Sequence, residues 1–361
     1  MIQPNALDPA ATATVAGYAP VLEVTRGGLP ESLHFGALAV ADAAGRLLAA
    51  WGDPETATFL RSSAKPFQGL AVLESGAADR FGFTPAQVAL MCASHSGTDT
   101  HAEGVAGMLA AIGLGEGDLL CGTHPPLDAA VARRLEASGT DPGPLRHNCS
   151  GKHAGMLALG EFLKGKRQAY LDQDGPVQQR ILSVLAEMCG VKPDQVGLGT
   201  DGCSAPNFSV PLRAAASAYA RLMDPAGLPK ERAAACNRIR AAMTTYPELV
   251  GGPGRLDTRL MQACEGSILS KGGAEGYQAF GLPAGALGPD SPACGIAIKI
   301  SDGDRSGRAV SAVGLEALSQ LGISLDTLKR LQDLLPPRAV ENNRGRLVGE
   351  MRACFHLERP E

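Results

Sequence analysis

Strand-like segments gather at both ends of this chain and helical segments fill its middle, and that order constrains the fold more than any other feature. Near the start, Val21–Thr25 reads as a strand, and His34–Asp42 with Gly45–Trp51 as a hairpin around Ala43-Ala44-Gly45. Near the end, Lys271–Leu282 is a short glycine-studded segment read as a strand flanked by turns. Cys294–Ser301 alternates and runs into Asp302-Gly303-Asp304, after which Arg308–Ala312 reads as the second arm of a hairpin. Between these ends, helical periodicity marks Lys65–Ala77, Pro85–Cys92, His101–Ile112, Leu127–Ala137, Lys152–Leu163, Pro176–Met188, Ser209–Leu222 and Pro229–Tyr246, with Thr84 as an expected N-cap. Val313–Leu321 and Leu325–Leu335 are also helical, the tail is polar, and residues 1–20 read as a loose arm. The two chain ends are therefore expected to pair in one antiparallel sheet with a helical region inserted between them, an α+β fold. The chain reads as a single domain over 1–361, with a sheet lobe from 20–60 and 270–345 and a mainly helical lobe from 61–269.

Composition narrows the function classes. Hydrophobic residues make up 45% and charged residues 19%, the balance of a globular chain. A net charge of −4 with scattered Lys and Arg predicts no nucleic-acid partner. The first twenty residues carry neither a basic stretch nor an apolar one, and no later window has the uncharged length of a membrane span. The nine cysteines are scattered without a framework, so reduced thiols in a cytoplasmic protein are expected. Abundant Gly and Ala beside few aromatics predict a closely packed core of small residues.

The stretch Arg61-Ser62-Ser63-Ala64-Lys65-Pro66-Phe67-Gln68 opens a helix, and Pro66 suits its first turn. Ser62 and Lys65 are three apart and share a face, so an amine can reach a hydroxyl, as acyl transfer requires. Alone, S-x-x-K is a common string that reads first as a cap, Ser62 or Ser63, followed by a surface lysine. Two further elements follow in chain order: Ser94-His95-Ser96 after a helix, and Lys271-Gly272-Gly273 before the last strands. A sheet with inserted helices, S-x-x-K, a second serine motif and K-x-G is the arrangement of penicillin-recognising serine hydrolases, including the serine β-lactamases. Together they make Ser62–Lys65 the favoured catalytic pair.

Two glycine-containing loops deliver cysteines beside polar groups ahead of predicted helices. They are His147-Asn148-Cys149-Ser150-Gly151-Lys152-His153 and Gly199-Thr200-Asp201-Gly202-Cys203-Ser204. Spacing alone suggests Cys149, His153 and Cys203 as zinc ligands with Asp201 orienting them. Two buried free cysteines fit the pattern equally well. His34, His124 and His356 carry no assigned role; His95 and His101 either line a pocket beside Ser94 or accompany a Thr98 or Asp99 cap.

These strings, with Asp201-Gly202-Cys203-Ser204-Ala205-Pro206-Asn207-Phe208 and Gly272-Gly273-Ala274-Glu275-Gly276, resemble the rhizobial-type L-asparaginases of the asparaginase II family across about residues 20–320. His-Asn-Cys-Ser-Gly-Lys-His is the most specific of them. The resemblance implies a serine β-lactamase-like fold, hydrolysis of L-asparagine to L-aspartate and ammonia, and a homodimer. It implies two serine–lysine tandems on one pocket, matching Ser62 with Lys65 and Ser94 with Lys271. It also implies a zinc ion that tunes rather than attacks, held by two cysteines and a lysine that match Cys149, Lys152 and Cys203, which moves His153 to the pocket wall. Within that scheme Ser62 is the expected nucleophile and Ser94 the relay, or the reverse. Asp201 suits the substrate α-ammonium; Arg61 reads either as a fork for the α-carboxylate or as a structural salt bridge. Asp174-Gly175-Pro176 departs from the family, which tends to carry His-Pro there. A glutaminase, a β-lactam-type serine amidohydrolase and a non-catalytic amino-acid or zinc sensor are the competing readings.

Overall fold

Alternation along the central strands sorts side chains by size, and that sorting builds the molecule in layers. The computed structural model describes residues 15–360, so most of the arm expected over 1–20 lies outside the described residues. The strands are β1 (Ala19–Arg26), β2 (Leu29–Asp42), β3 (Leu47–Trp51), β4 (Ala57–Phe59), β5 (Gly197–Thr200), β6 (Pro206–Pro211), β7 (Leu269–Gly273), β8 (Tyr277–Leu282), β9 (Cys294–Ile300), β10 (Arg338–Glu341) and β11 (Leu347–Ala353). The main sheet runs β10-β11-β1-β2-β9-β8-β7, with β3 also on β2, and its pairs are antiparallel. The expected α+β plan, a sheet from both chain ends around a helical insert, is the observed one.

One face of that sheet is bulky. Leu38, Val40, Phe280, Leu282, Ile296, Ile298 and Ile300 form a core with Ala309, Ala312 and Val313 of the C-terminal helix Arg308–Gln320. Each such aliphatic side chain contributes roughly 1.5–3 kcal/mol by leaving water. The opposite face is small: Ala37, Ala39, Ala41, Ala279 and Ala297 belong to the core shared with the inserted helices. The helix Leu212–Met223 lies on this face so closely that a Cβ on Gly295 would stand 2.0 Å from the Ala216 carbonyl oxygen. The abundance of Ala and Gly thus has a structural purpose, a flat seat for a buried helix.

Several segments differ from the sequence reading. Lys271–Leu282, read as one strand, is a hairpin of β7 and β8. Arg308 opens a helix instead of a hairpin arm, because the Asp304 carboxylate accepts from the N–H groups of Ala309 (2.9 Å) and Val310 (2.7 Å) and caps it. The first residues of the predicted helix Ser209–Leu222 complete β6, which pairs with β4 and β5 in a second small sheet. The expected polar tail supplies β11, which pairs with β1. Thr84 is the N-cap expected, in a reciprocal box with Gln87. Among the described residues, no helix is long and apolar enough to cross a membrane.

Candidate active site

From β4 the chain enters a single tight turn, Arg61–Ala64, that leads directly into the buried helix Lys65–Glu74. Arg61 has φ 50°, the left-handed region, which costs a non-glycine residue about 1–3 kcal/mol. Surrounding groups hold it there. The Arg61 N–H donates to Asn207 Oδ1 (3.2 Å), and its Nε donates to Asp201 Oδ1 (2.7 Å). Ser63 Oγ donates to the Lys271 carbonyl (2.7 Å), while the Tyr219 hydroxyl donates to the Ser63 carbonyl (2.8 Å). Strand β7 runs so near that a Cβ on Gly273 would lie 2.6 Å from the Leu60 carbonyl oxygen. The turn is thereby pinned between the helical insert and the sheet.

This turn leaves Ser62 facing a cleft of about 870 Å³, also lined by Ser94, Asn148, Arg255, Asp257 and Gly272. Ser62 Oγ makes no hydrogen bond among the described residues, so its hydroxyl is open to the cleft. Lys65 Nζ, fully buried, lies 2.9 Å from Ser94 Oγ and within reach of the carbonyls of Ala93 (2.6 Å) and Asn148 (3.2 Å). As an ammonium the group donates to all three. As an amine it donates to the two carbonyls and accepts from the Ser94 hydroxyl. Both protonation states are satisfied in place, which is what a proton carrier needs.

Lys271 approaches from β7. Its Nζ donates to the Gly272 carbonyl (2.6 Å) and stands 3.6 Å from Asp257 Oδ2. Burial pushes its pKa down to about 8, with Asp257 opposing and Lys65 assisting. The buried Asp257 carboxylate accepts from Ser270 Oγ (2.7 Å), the Gly272 N–H (3.0 and 2.9 Å) and Gln278 Nε2 (3.1 Å). Burial alone would raise its pKa, but Lys271 and these donors lower it. A lysine whose folded pKa lies below its unfolded value destabilises the fold at low pH and is relieved as pH rises from about 8 to the unfolded value near 10.4. The unfolding free energy of Lys271→Met relative to wild type is therefore expected to fall by about 2–3 kcal/mol between pH 7 and 10.5. Denaturant titrations across that range would exclude this account if the difference stayed flat.

Next to the Arg61–Ala64 turn, through Asp201, lies the thiol cluster. Ligand atoms of Cys149, Asp201 and Cys203 lie within 4.8 Å of one another, and Lys152 Nζ donates to Cys203 Sγ at 2.9 Å. Both cysteines are buried. The Cys203 thiol pulls the Cys149 pKa well down, against burial and with help from Lys65 and Lys152. Burial works against charge on Lys152, yet Cys149, Cys203 and Asp201 overcome it and raise its pKa. Two thiols, a carboxylate and an amine gathered in one buried spot fit a soft divalent ion such as zinc. Binding it would require Lys152 to release a proton before its nitrogen could serve as ligand.

A family model described as L-asparaginase II matches residues 22–353. The chain belongs to the L-asparaginase II family. Among solved structures, the asparaginase II chain is similar to one described as Mglu in its native form (18% identity, TM-score 0.41), covering 79% of this chain and 63% of that one. It is likewise similar to a probable glutaminase from Bacillus subtilis complexed with 6-diazo-5-oxo-L-norleucine (14% identity, TM-score 0.37), covering 83% and 85%. The chain spans about three fifths of the length of the Mglu structure. No curated protein matches it.

Ser62 and Ser94 line the same cleft while Lys65 and Lys271 are buried behind its wall, and the partners differ from those the resemblance implies. Ser94 bonds to Lys65, and Lys271 turns to Gly272 and Asp257. A spacing of three places Ser62 and Lys65 on one side of the helix head, yet a four-carbon stem can pass the nearer hydroxyl for a more distant one. Arg61 and Asp201 pair with each other, the structural salt bridge that was one of two readings for Arg61; neither lines the cleft wall. His153, expected on the pocket wall, is fully buried and not among the residues that line the cleft, and its Nδ1 meets the Tyr170 hydroxyl at 2.7 Å. Asp257 and Asn148 escaped notice. An acid in the first turn of a helix is ordinary, and nothing in the string signals that Asp257 meets a lysine on another strand.

Proposed function

We propose that this asparaginase II chain hydrolyses L-asparagine to L-aspartate and ammonia through an acyl-enzyme on Ser62. The observation that carries the reading is the open Ser62 hydroxyl on the same cleft as Ser94, whose hydroxyl bonds to the Lys65 amine. Ser62 Oγ bonds to the side-chain amide carbon, and its proton passes to Lys65, directly or through Ser94. The proton then goes to the departing nitrogen as the carbon–nitrogen bond breaks. Water attacks the ester, gives its proton back along the same route, and releases L-aspartate and the serine hydroxyl. Lys271, with its pKa depressed to about 8, is a second amine able to take up a proton beside this route.

Zinc belongs to the same proposal, with Cys149, Lys152 and Cys203 as its holders and Asp201 as a further donor. When bound, it would supply fixed positive charge behind the nucleophile turn; Asp201 joins that cluster to Arg61. The purified chain is expected to hold about one zinc per chain by elemental analysis, and Cys149→Ser and Cys203→Ser to lose it. A zinc content unchanged in both variants would rule out this cluster.

The deciding assay measures ammonia from L-asparagine, L-glutamine and simple amides beside turnover of a chromogenic β-lactam. Preference for L-asparagine supports the reading. Preference for L-glutamine or the β-lactam replaces it with the glutaminase or β-lactam alternative. Tight amino-acid or zinc binding without turnover of any amide would make the chain a sensor.

A further inference from the structure

The asparagine reading requires a group for the substrate α-carboxylate, and the salt bridge between Arg61 and Asp201 leaves that task open. Two other guanidinium groups line the cleft that Ser62 and Ser94 share, Arg255 and Arg305. Neither side chain makes a hydrogen bond or ion pair among the described residues. We propose that Arg255 binds the α-carboxylate of the amino-acid substrate, an assignment that rests on the reading of the cleft as an amino-acid amide site.

Three observations favour Arg255. Its backbone is fixed: the N–H donates to the Gly252 carbonyl (3.4 Å), and its own carbonyl accepts from Arg259 (2.9 Å) at the start of the helix Leu256–Ala263. Two residues on, Asp257 ties that helix to the Gly272 N–H, so Arg255 is held beside the strand that delivers Lys271. Its side chain lines the cleft together with Asp257 and Gly272, next in the chain to Lys271, and its positive charge helps lower the Lys271 pKa. In asparagine only the α and β carbons separate the carboxylate from the amide, so its holder must stand close to the lysines. Arg305 instead sits on the connection between β9 and the helix Arg308–Gln320, in the chain beside Asp302 and Asp304, with no contact to the strand that carries Lys271 among the described hydrogen bonds. A planar guanidinium free of protein partners suits two parallel hydrogen bonds to a carboxylate.

The test compares L-aspartate with β-alanine, the same molecule without its α-carboxylate, by calorimetric titration of wild type, Arg255→Gln and Arg305→Gln. L-Aspartate affinity is expected to fall roughly 10- to 100-fold in Arg255→Gln and to stay unchanged in Arg305→Gln. β-Alanine is expected to bind all three alike. A loss confined to Arg305→Gln, an equal loss for both ligands, or no L-aspartate binding by wild type would overturn the assignment. Because binding is read instead of turnover, a wild type inactive on asparagine but showing the Arg255 pattern would sink the asparaginase reading and leave the carboxylate site standing.

Discussion

Ser62→Ala is expected to reduce ammonia release from L-asparagine by at least about 10⁴-fold while the chain stays folded. The magnitude follows from groups acting as a unit: without the nucleophile, the amines and the positioning of substrate have no bond-forming atom to serve. The folded state should hardly notice, because the Ser62 hydroxyl makes no hydrogen bond within the described residues and the change leaves no buried group unpaired. Ser94→Ala provides the contrast. It removes a hydroxyl bonded to the buried Lys65 amine, so rate should fall through the proton route, by roughly 10²–10⁴-fold. Intact-mass analysis during turnover reads the same question directly: an adduct should form on wild type and not on Ser62→Ala. Full activity in Ser62→Ala, or an adduct mapped to Ser94, would exchange the two serines.

Asp257→Ala is expected to destabilise the protein by about 3–5 kcal/mol, the range for removing one partner of a buried charge pair. The carboxylate accepts from Ser270, Gly272 and Gln278 and faces Lys271 at 3.6 Å, so truncation leaves several buried donors without an acceptor. In a chain of this size the melting temperature should drop by roughly 5–10 °C. Part of the loss is the stranded charge of Lys271. Adding Lys271→Met to Asp257→Ala should therefore recover stability, whereas two independent sites would give additive losses. Strict additivity would show that the pair is not coupled and would remove Asp257 as the group that positions Lys271.

Much of the plan was legible in the chain itself. The hairpin turn after β2, period-two alternation in β9 and the helical run after Lys65 are local signals, and they led to the observed α+β arrangement. Asp302-Gly303-Asp304 misled because Asp-Gly-Asp suits a hairpin turn and also a loop that caps a helix; the deciding hydrogen bonds run from Asp304 to residues beyond the motif. At the site, strings located the serines, lysines and cysteines, whereas partner choice was invisible. Ser94 meeting Lys65, and Arg61 meeting Asp201 across 140 positions, depend on how distant segments are brought together. His153 shows the same limit: its place beside Lys152 in the chain says nothing of Tyr170.

The layer of alanine and glycine beneath the helix Leu212–Met223 has a consequence for which changes this chain can tolerate. A methyl group added at Gly295 would press on the Ala216 carbonyl and the Tyr219 Cβ, at 2.0 and 2.8 Å. Tyr219 is the side chain whose hydroxyl grips the carbonyl next to Ser62. Crowding on β9 would thus be transmitted, through one phenol, to the backbone of the turn that carries Ser62. Packing in that seat is therefore tied to the placement of Ser62 as well as to the fold.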